Sequence, residues 1–151
     1  MEVYRITRCE YITDLSGTGA SQYPGRWNSK GVKMLYTAQS ASLATLETVV
    51  HISGLKVIAP YCLITLHIPD EFITTLNQRE LPHNWDAFPA PDILKRFGDL
   101  FIKNNQFLAI RVPSAVVPED YNYLINPLHK NFAAIRIIHQ RPFTFDERLS
   151  K

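Results

Sequence analysis

The sequence predicts an α+β fold, a single compact domain with a mixed, split β-sheet and flanking helices. Three observations carry that prediction. Short segments of strand character recur along the chain, while only two segments show helical periodicity. Strands and helices do not alternate in a regular βαβ pattern. The 151 residues are 46% hydrophobic and 20% charged, which supplies one real core and fits one domain spanning 1–151. A domain of this size buries roughly two-thirds of its unfolded surface and needs no disulfide or metal to hold it.

The elements follow in order. Residues 3–6 read as a first strand. Residues 9–25 contain three glycines and Pro24, so a long loop is expected there. The run Gly25-Arg26-Trp27-Asn28-Ser29-Lys30-Gly31 then leads into a strand at 33–37. Ser40 is a natural N-cap for a helix that Gly54 would close. Residues 61–68 alternate, with Cys62, Ile64, Leu66 and Ile68 on one face and Pro69 at the end. The three prolines of 81–91 predict an irregular surface excursion. Asp92 is expected to cap a second helix with the stripe Ile93, Phe97, Leu100 and Phe101. Strands are expected at 107–112, stopped by Pro113, and at 133–139 and 142–145.

Composition excludes several classes. A net charge of +2 with scattered cations lacks the basic face of a nucleic-acid binder. No apolar run approaches the ~20 residues of a membrane helix, and no signal peptide is seen at the N-terminus. Cys9 and Cys62 are far apart and form no CxxC, so two free thiols in a reducing cytoplasm are expected. Gly17 and Gly19 give only GxG, without the third glycine or the strand-to-helix setting of a dinucleotide fingerprint. There is no Walker A or GxSxG motif, and the five histidines show no metal spacing.

One carboxylate stands out. At ~100° per residue, Leu43, Leu46 and Val50 share a stripe of the first helix, and Glu47 falls among them, with His51 one turn on. A carboxylate facing a core costs free energy unless it is paired, so Glu47 is either salt-bridged structure or a site. Arg26, flanked by Gly25, is an ordinary solvated arginine in isolation, yet it also suits bidentate phosphate binding. Tyr36 ends a strand just before the Glu47 helix and reads equally as a core aromatic. Ser114 and Asn126 each read as turn residues when taken alone.

Together these residues resemble a known family. The runs YRITR, GRWNSKG, LYTAQSASLATLETVVH, VPSAVVPEDYNYLINPLH and FTFDERL match the RES domain in order and spacing, over residues 4–149. The family is named for an Arg, a Glu and a Ser, which correspond here to Arg26, Glu47 and Ser114. Its strand tyrosine corresponds to Tyr36 and the asparagine of its NPLH motif to Asn126. The resemblance implies an ADP-ribosyltransferase-like fold and the toxin of a toxin–antitoxin pair, silenced by a Xre-type antitoxin. It implies NAD⁺ as substrate rather than cofactor, consumed by hydrolysis or phosphorolysis, or used to ADP-ribosylate a protein.

The chemistry suits the residues. Nicotinamide leaves NAD⁺ as a neutral molecule, so no general acid is needed, and positive charge develops on the ribose. A carboxylate such as Glu47 can stabilise that charge or hold the ribose hydroxyls. Arg26 suits the pyrophosphate, Tyr36 can offer the nicotinamide an aromatic face, and Ser114 and Asn126 can hydrogen-bond ribose or carboxamide. A non-catalytic antitoxin-binding module is the competing class, and the intact Arg26 and Glu47 favour the enzyme. A toxin homodimer is also expected, packed through Trp85 and Phe88 of the Pro-rich excursion.

Overall fold

The computed structural model describes residues 1–52 and 59–150. Its strands are β1 (Glu2–Arg8), β2 (Leu35–Ala38), β3 (Tyr61–His67), β4 (Ile73–Thr75), β5 (Ala109–Pro113), β6 (Tyr121–Ile125) and β7 (Arg136–Phe143). They form one sheet in the order β4-β5-β6-β2-β1-β3-β7, with β4–β5 parallel and every other neighbour antiparallel. The α-helices are α1 (Thr18–Gln22), α2 (Ala41–Val49) and α3 (Ile93–Asn104).

The predicted split lies in the middle of the sheet. β1 and β3 pair along seven residues and β2 and β6 along four, but β1 and β2 share only Tyr4 with Ala38. Each face then carries its own core. On one face Val3, Leu35, Ile64, Leu66, Tyr123 and Ile125 pack together. On the other, α2 sets Leu43 and Ala44 against Ala38, with Tyr4 and Ile6 alongside. There α3 sets Leu94 and Phe101 against Ile110, Val112 and Leu124, with Trp27 and Met34 between. Both α2 and α3 therefore cover the same face, α2 across the split and α3 over β5 and β6.

Several expectations need correction. The strands β4 and β6 were not foreseen, because Tyr121–Ile125 sits inside a stretch of prolines, acids and asparagines that resembles a turn. The two expected C-terminal strands are one, β7, which tolerates Pro142 because it is the sheet edge. The loop at 9–25 contains α1 and a 3-10 turn at Cys9–Tyr11. Ser40 does cap α2, its Oγ accepting from the Leu43 N–H at 3.1 Å, and α2 ends at Val49. Gly54 lies outside the described residues. Asp92 precedes α3 but makes no side-chain capping bond.

The buried stripe of α3 is Leu94, Gly98 and Phe101, while Ile93 and Leu100 are exposed. Gly98 carries no apolar side chain for the pattern to register, yet it is what lets the helix come close. The cysteines are not free: Cys9 and Cys62 form a disulfide, with Cα atoms 5.0 Å apart. Their separation of 53 residues hid this. The β1–β3 register pairs Thr7 with Cys62, and the Cys9 N–H donates to Pro60 O, which brings the two side chains together.

Candidate active site

Helix α2 turns a different face inward from the one its apolar pattern suggested. Leu46 and Val50 are 38% and 58% exposed, whereas Leu43 and Ala44 are buried. Glu47 lies one turn beyond Leu43 and Ala44, so its carboxylate enters the space between α2 and the sheet. Its Oε1 accepts from Ser114 Oγ at 2.7 Å and from Asn122 Nδ2. His51 is exposed and is not its partner in these bonds.

Ser114 follows β5 and is fully buried. Its N–H donates to Asp120 O, and its Oγ accepts from the N–H groups of Val116 and Val117 at 3.1 Å each. The turn after β5 thus leaves the hydroxyl one free direction, which points to Glu47. Asn122 reaches the same carboxylate from β6, across from Ala38 and Val112.

Arg26 approaches from the loop before β2, and Tyr36 from β2 itself. Asn28, fully buried, organises that loop. Its Oδ1 accepts from the Gly25 N–H at 2.9 Å and from the Tyr36 hydroxyl at 2.7 Å. Its Nδ2 donates to the carbonyls of Ala20, Ser29 and Val32. The Tyr36 hydroxyl in turn accepts from the Trp27 N–H at 3.1 Å. A Cβ on Gly25 would stand 2.7 Å from that hydroxyl, so the close approach requires glycine. Burial raises the Tyr36 pKa well above that of a free tyrosine, against a smaller opposing effect of the Trp27 N–H. Its hydroxyl is a neutral structural group.

Arg26 is partly buried. Its Nη1 donates to Trp85 O at 2.8 Å and to Ala87 O at 2.9 Å, which ties the Pro-rich excursion to the loop. Burial lowers the Arg26 pKa, and the negative charges of Glu47 and Asp86 oppose that effect. The Arg26 cation and the Glu47 carboxylate therefore share one field, with Tyr36 also within reach of Arg26. Lys30 and Lys33 are exposed.

Of the five expected site residues, Glu47 and Ser114 are in direct contact, Arg26 is within electrostatic reach of Glu47, and Tyr36 within reach of Arg26. Asn126 stands apart. It follows the far end of β6, ~13 Å along the strand from Asn122 at ~3.3 Å per residue. Its Nδ2 donates to Asn105 Oδ1, its Oδ1 accepts from the Leu128 N–H, and it is fully buried. Trp85, expected to be exposed, is half-buried against the α3 core, whereas Phe88 is 89% exposed. Asn28 and Asn122 were missed. The alternation Tyr121-Asn122-Tyr123-Leu124-Ile125 was the available signal for Asn122, because it puts Asn122 on the same face as Leu124.

Residues 2–146 match the RES domain. The chain belongs to the RES domain family. A relative named Toxin Res, from Yersinia enterocolitica, is 38% identical over 99% of both chains. Another Toxin Res, from Photorhabdus laumondii, is 35% identical over 100% of this chain and 98% of its own. A relative named Prs ADP-ribosylating toxin, from a Sphingobium species, is 37% identical over 90% of this chain and 86% of its own. The RES fold described above also resembles a chain of the M. tuberculosis MbcT–MbcA toxin–antitoxin complex. The TM-score is 0.77 at 18% identity, over 95% of this chain and 84% of that one. Among the described residues of this RES domain, no helix is long and apolar enough to cross a membrane.

Proposed function

We propose that this RES domain is the toxin of a toxin–antitoxin pair and that it cleaves the nicotinamide–ribose bond of NAD⁺, depleting NAD⁺ and arresting growth. The observation that carries the reading is the Glu47 carboxylate, fixed through Oε1 by Ser114 and Asn122 and sharing a field with Arg26. A carboxylate held in place beforehand can meet the cationic ribose that forms as neutral nicotinamide departs. Arg26 meets the pyrophosphate with the N–H groups that Trp85 and Ala87 leave unused. Tyr36 would offer its aromatic face to the nicotinamide end. Water then adds to the ribose to give ADP-ribose, or phosphate adds to give its 1″-phosphate.

The relatives named Toxin Res support the toxin role. A Xre-type antitoxin in a shared cytoplasm is the partner we assign, and a toxin homodimer would use Phe88 rather than Trp85. The direct test incubates purified protein with NAD⁺, with and without phosphate, and identifies the products. Nicotinamide release that Glu47→Gln slows about a hundredfold or more is expected, and intact NAD⁺ would overturn the reading. A second reading, transfer of ADP-ribose to a protein, is favoured by the name of the Sphingobium relative. Radiolabel from NAD⁺ appearing on protein in a cell extract, with little free ADP-ribose, would select it.

A further inference from the structure

Two donors converge on a single oxygen of Glu47. Ser114 Oγ and Asn122 Nδ2 both donate to Oε1, and among the described residues no hydrogen bond is made to Oε2. The Ser114 hydroxyl already accepts from two backbone N–H groups, so its one proton is directed at Glu47. The Asn122 amide is oriented just as firmly. Turned over, it would set oxygen against a carboxylate oxygen, so the NH₂ must face Glu47.

That orientation has a cost. The Asn122 Oδ1 is buried and, among the described residues, has no hydrogen-bond partner. A buried acceptor without a partner destabilises a fold, and an aliphatic side chain on β6 would avoid the penalty. Its neighbours across the sheet, Ala38 and Val112, are buried and apolar. A polar side chain kept at such a place, with its donor on the one carboxylate of the site, belongs to the site rather than to the core.

We propose that Asn122 is a positioning residue for Glu47. With Ser114 it fixes Oε1 and turns Oε2 toward the ribose of NAD⁺. The proposal rests on the reading of Glu47 as the carboxylate that meets the substrate.

The test uses the full chain and two measurements. Asn122→Leu keeps the branching of the side chain and removes both the donor and the unpaired acceptor. Its melting temperature should hold or rise, kcat for NAD⁺ cleavage should fall about ten- to a hundredfold, and KM should stay within about threefold. A folded Asn122→Leu protein with wild-type kcat would overturn the proposal, as would a lowered melting temperature with kcat unchanged. The second measurement leaves Asn122 intact. In ¹⁵N-labelled protein the Asn122 side-chain amide protons should move upfield when Glu47→Gln removes the charge. An unmoved amide overturns the proposal even if Asn122→Leu fails to fold. If the amide moves but the wild-type protein leaves NAD⁺ intact, the contact stands and the reading of the substrate falls.

Discussion

In the proposed reaction, Glu47 and Arg26 would divide the work of the site by when their charges matter. Arg26 would grip the pyrophosphate in ground and transition states alike, whereas Glu47 would face a ribose charge that exists only as the bond breaks. Glu47→Gln is therefore expected to leave NAD⁺ binding nearly intact and to lower the single-turnover rate about a hundredfold or more. Arg26→Ala is expected to raise KM. It should also lower the melting temperature, because the Trp85 and Ala87 carbonyls lose their shared donor. Titration calorimetry, single-turnover kinetics and thermal melts of both variants check the division. Tyr36 makes a pH-dependent prediction. Its folded-state pKa is raised above 10.0, so above that pH the unfolded chain releases a proton that the native state retains. Stability should then fall as pH rises past 10, and Tyr36→Phe should flatten that fall while costing about 1–3 kcal/mol at neutral pH for the unpaired Trp27 N–H. Melting temperatures from pH 8 to 11 decide it. A wild-type slope equal to that of Tyr36→Phe would remove Tyr36 as its cause. At this scale the sequence was informative about identity and less so about partners. Glu47 could be found because a charge inside an apolar pattern is visible, but its bonds to Ser114 and Asn122 span 67 and 75 residues and depend on tertiary pairing.

Among the elements, α3 explains how the Arg26 loop is held. Gly98 faces the loop so closely that an added Cβ would stand 1.8 Å from the Trp27 carbonyl oxygen. The next residue, Asp99, accepts from both the N–H and the hydroxyl of Ser29. The loop is thus pinned to the helix on one side and to Tyr36 and Asn28 on the other. Gly98→Ala must push backbone apart, so a loss of about 3 kcal/mol or more is expected, seen as a melting temperature roughly 6 °C or more below wild type. A shift within about 1 °C would mean that the loop has another packing available. The legibility of elements follows the same physics. The Ser40 cap and the alternating 61–68 strand are local patterns and were readable. The inward faces of α2 and α3 were not, because what each helix meets is decided by the sheet: Leu46 and Val50 look like core and face outward, and Gly98 looks like a weakness and is the closest contact. Likewise the Cys9–Cys62 bond follows from the β1–β3 register, which no spacing rule contains.

On the scale of the whole molecule, the site sits where the sheet is least continuous. The half built from β4, β5, β6 and β2 carries Tyr36, Asn122 and Ser114, and the half built from β1, β3 and β7 joins it through a single registered pair, Tyr4 with Ala38. Helix α2 bridges that joint, packing Leu43 and Ala44 on Ala38, Tyr4 and Ile6, and it carries Glu47 on its inner face. Every proposed catalytic group is thus anchored in or beside the first half, and only the support of α2 depends on both. That arrangement yields a prediction at the level of the cell. Induction of the chain alone should arrest growth as intracellular NAD⁺ falls, with the fall in NAD⁺ preceding the arrest. Glu47→Gln should restore both, because it removes charge without removing packing. Co-expression of the Xre-type antitoxin should restore both with the wild-type chain and co-purify with it. The variant and the antitoxin act at different points, so their outcomes can be separated. Glu47→Gln protein should still co-purify with the antitoxin, since its fold and outer surface are unchanged, whereas loss of that complex would place Glu47 in the partner interface. Arrest by Glu47→Gln at undiminished NAD⁺ would show that toxicity does not run through the carboxylate. NAD⁺ assayed in parallel with optical density, for wild type, Glu47→Gln and each with antitoxin, distinguishes these cases.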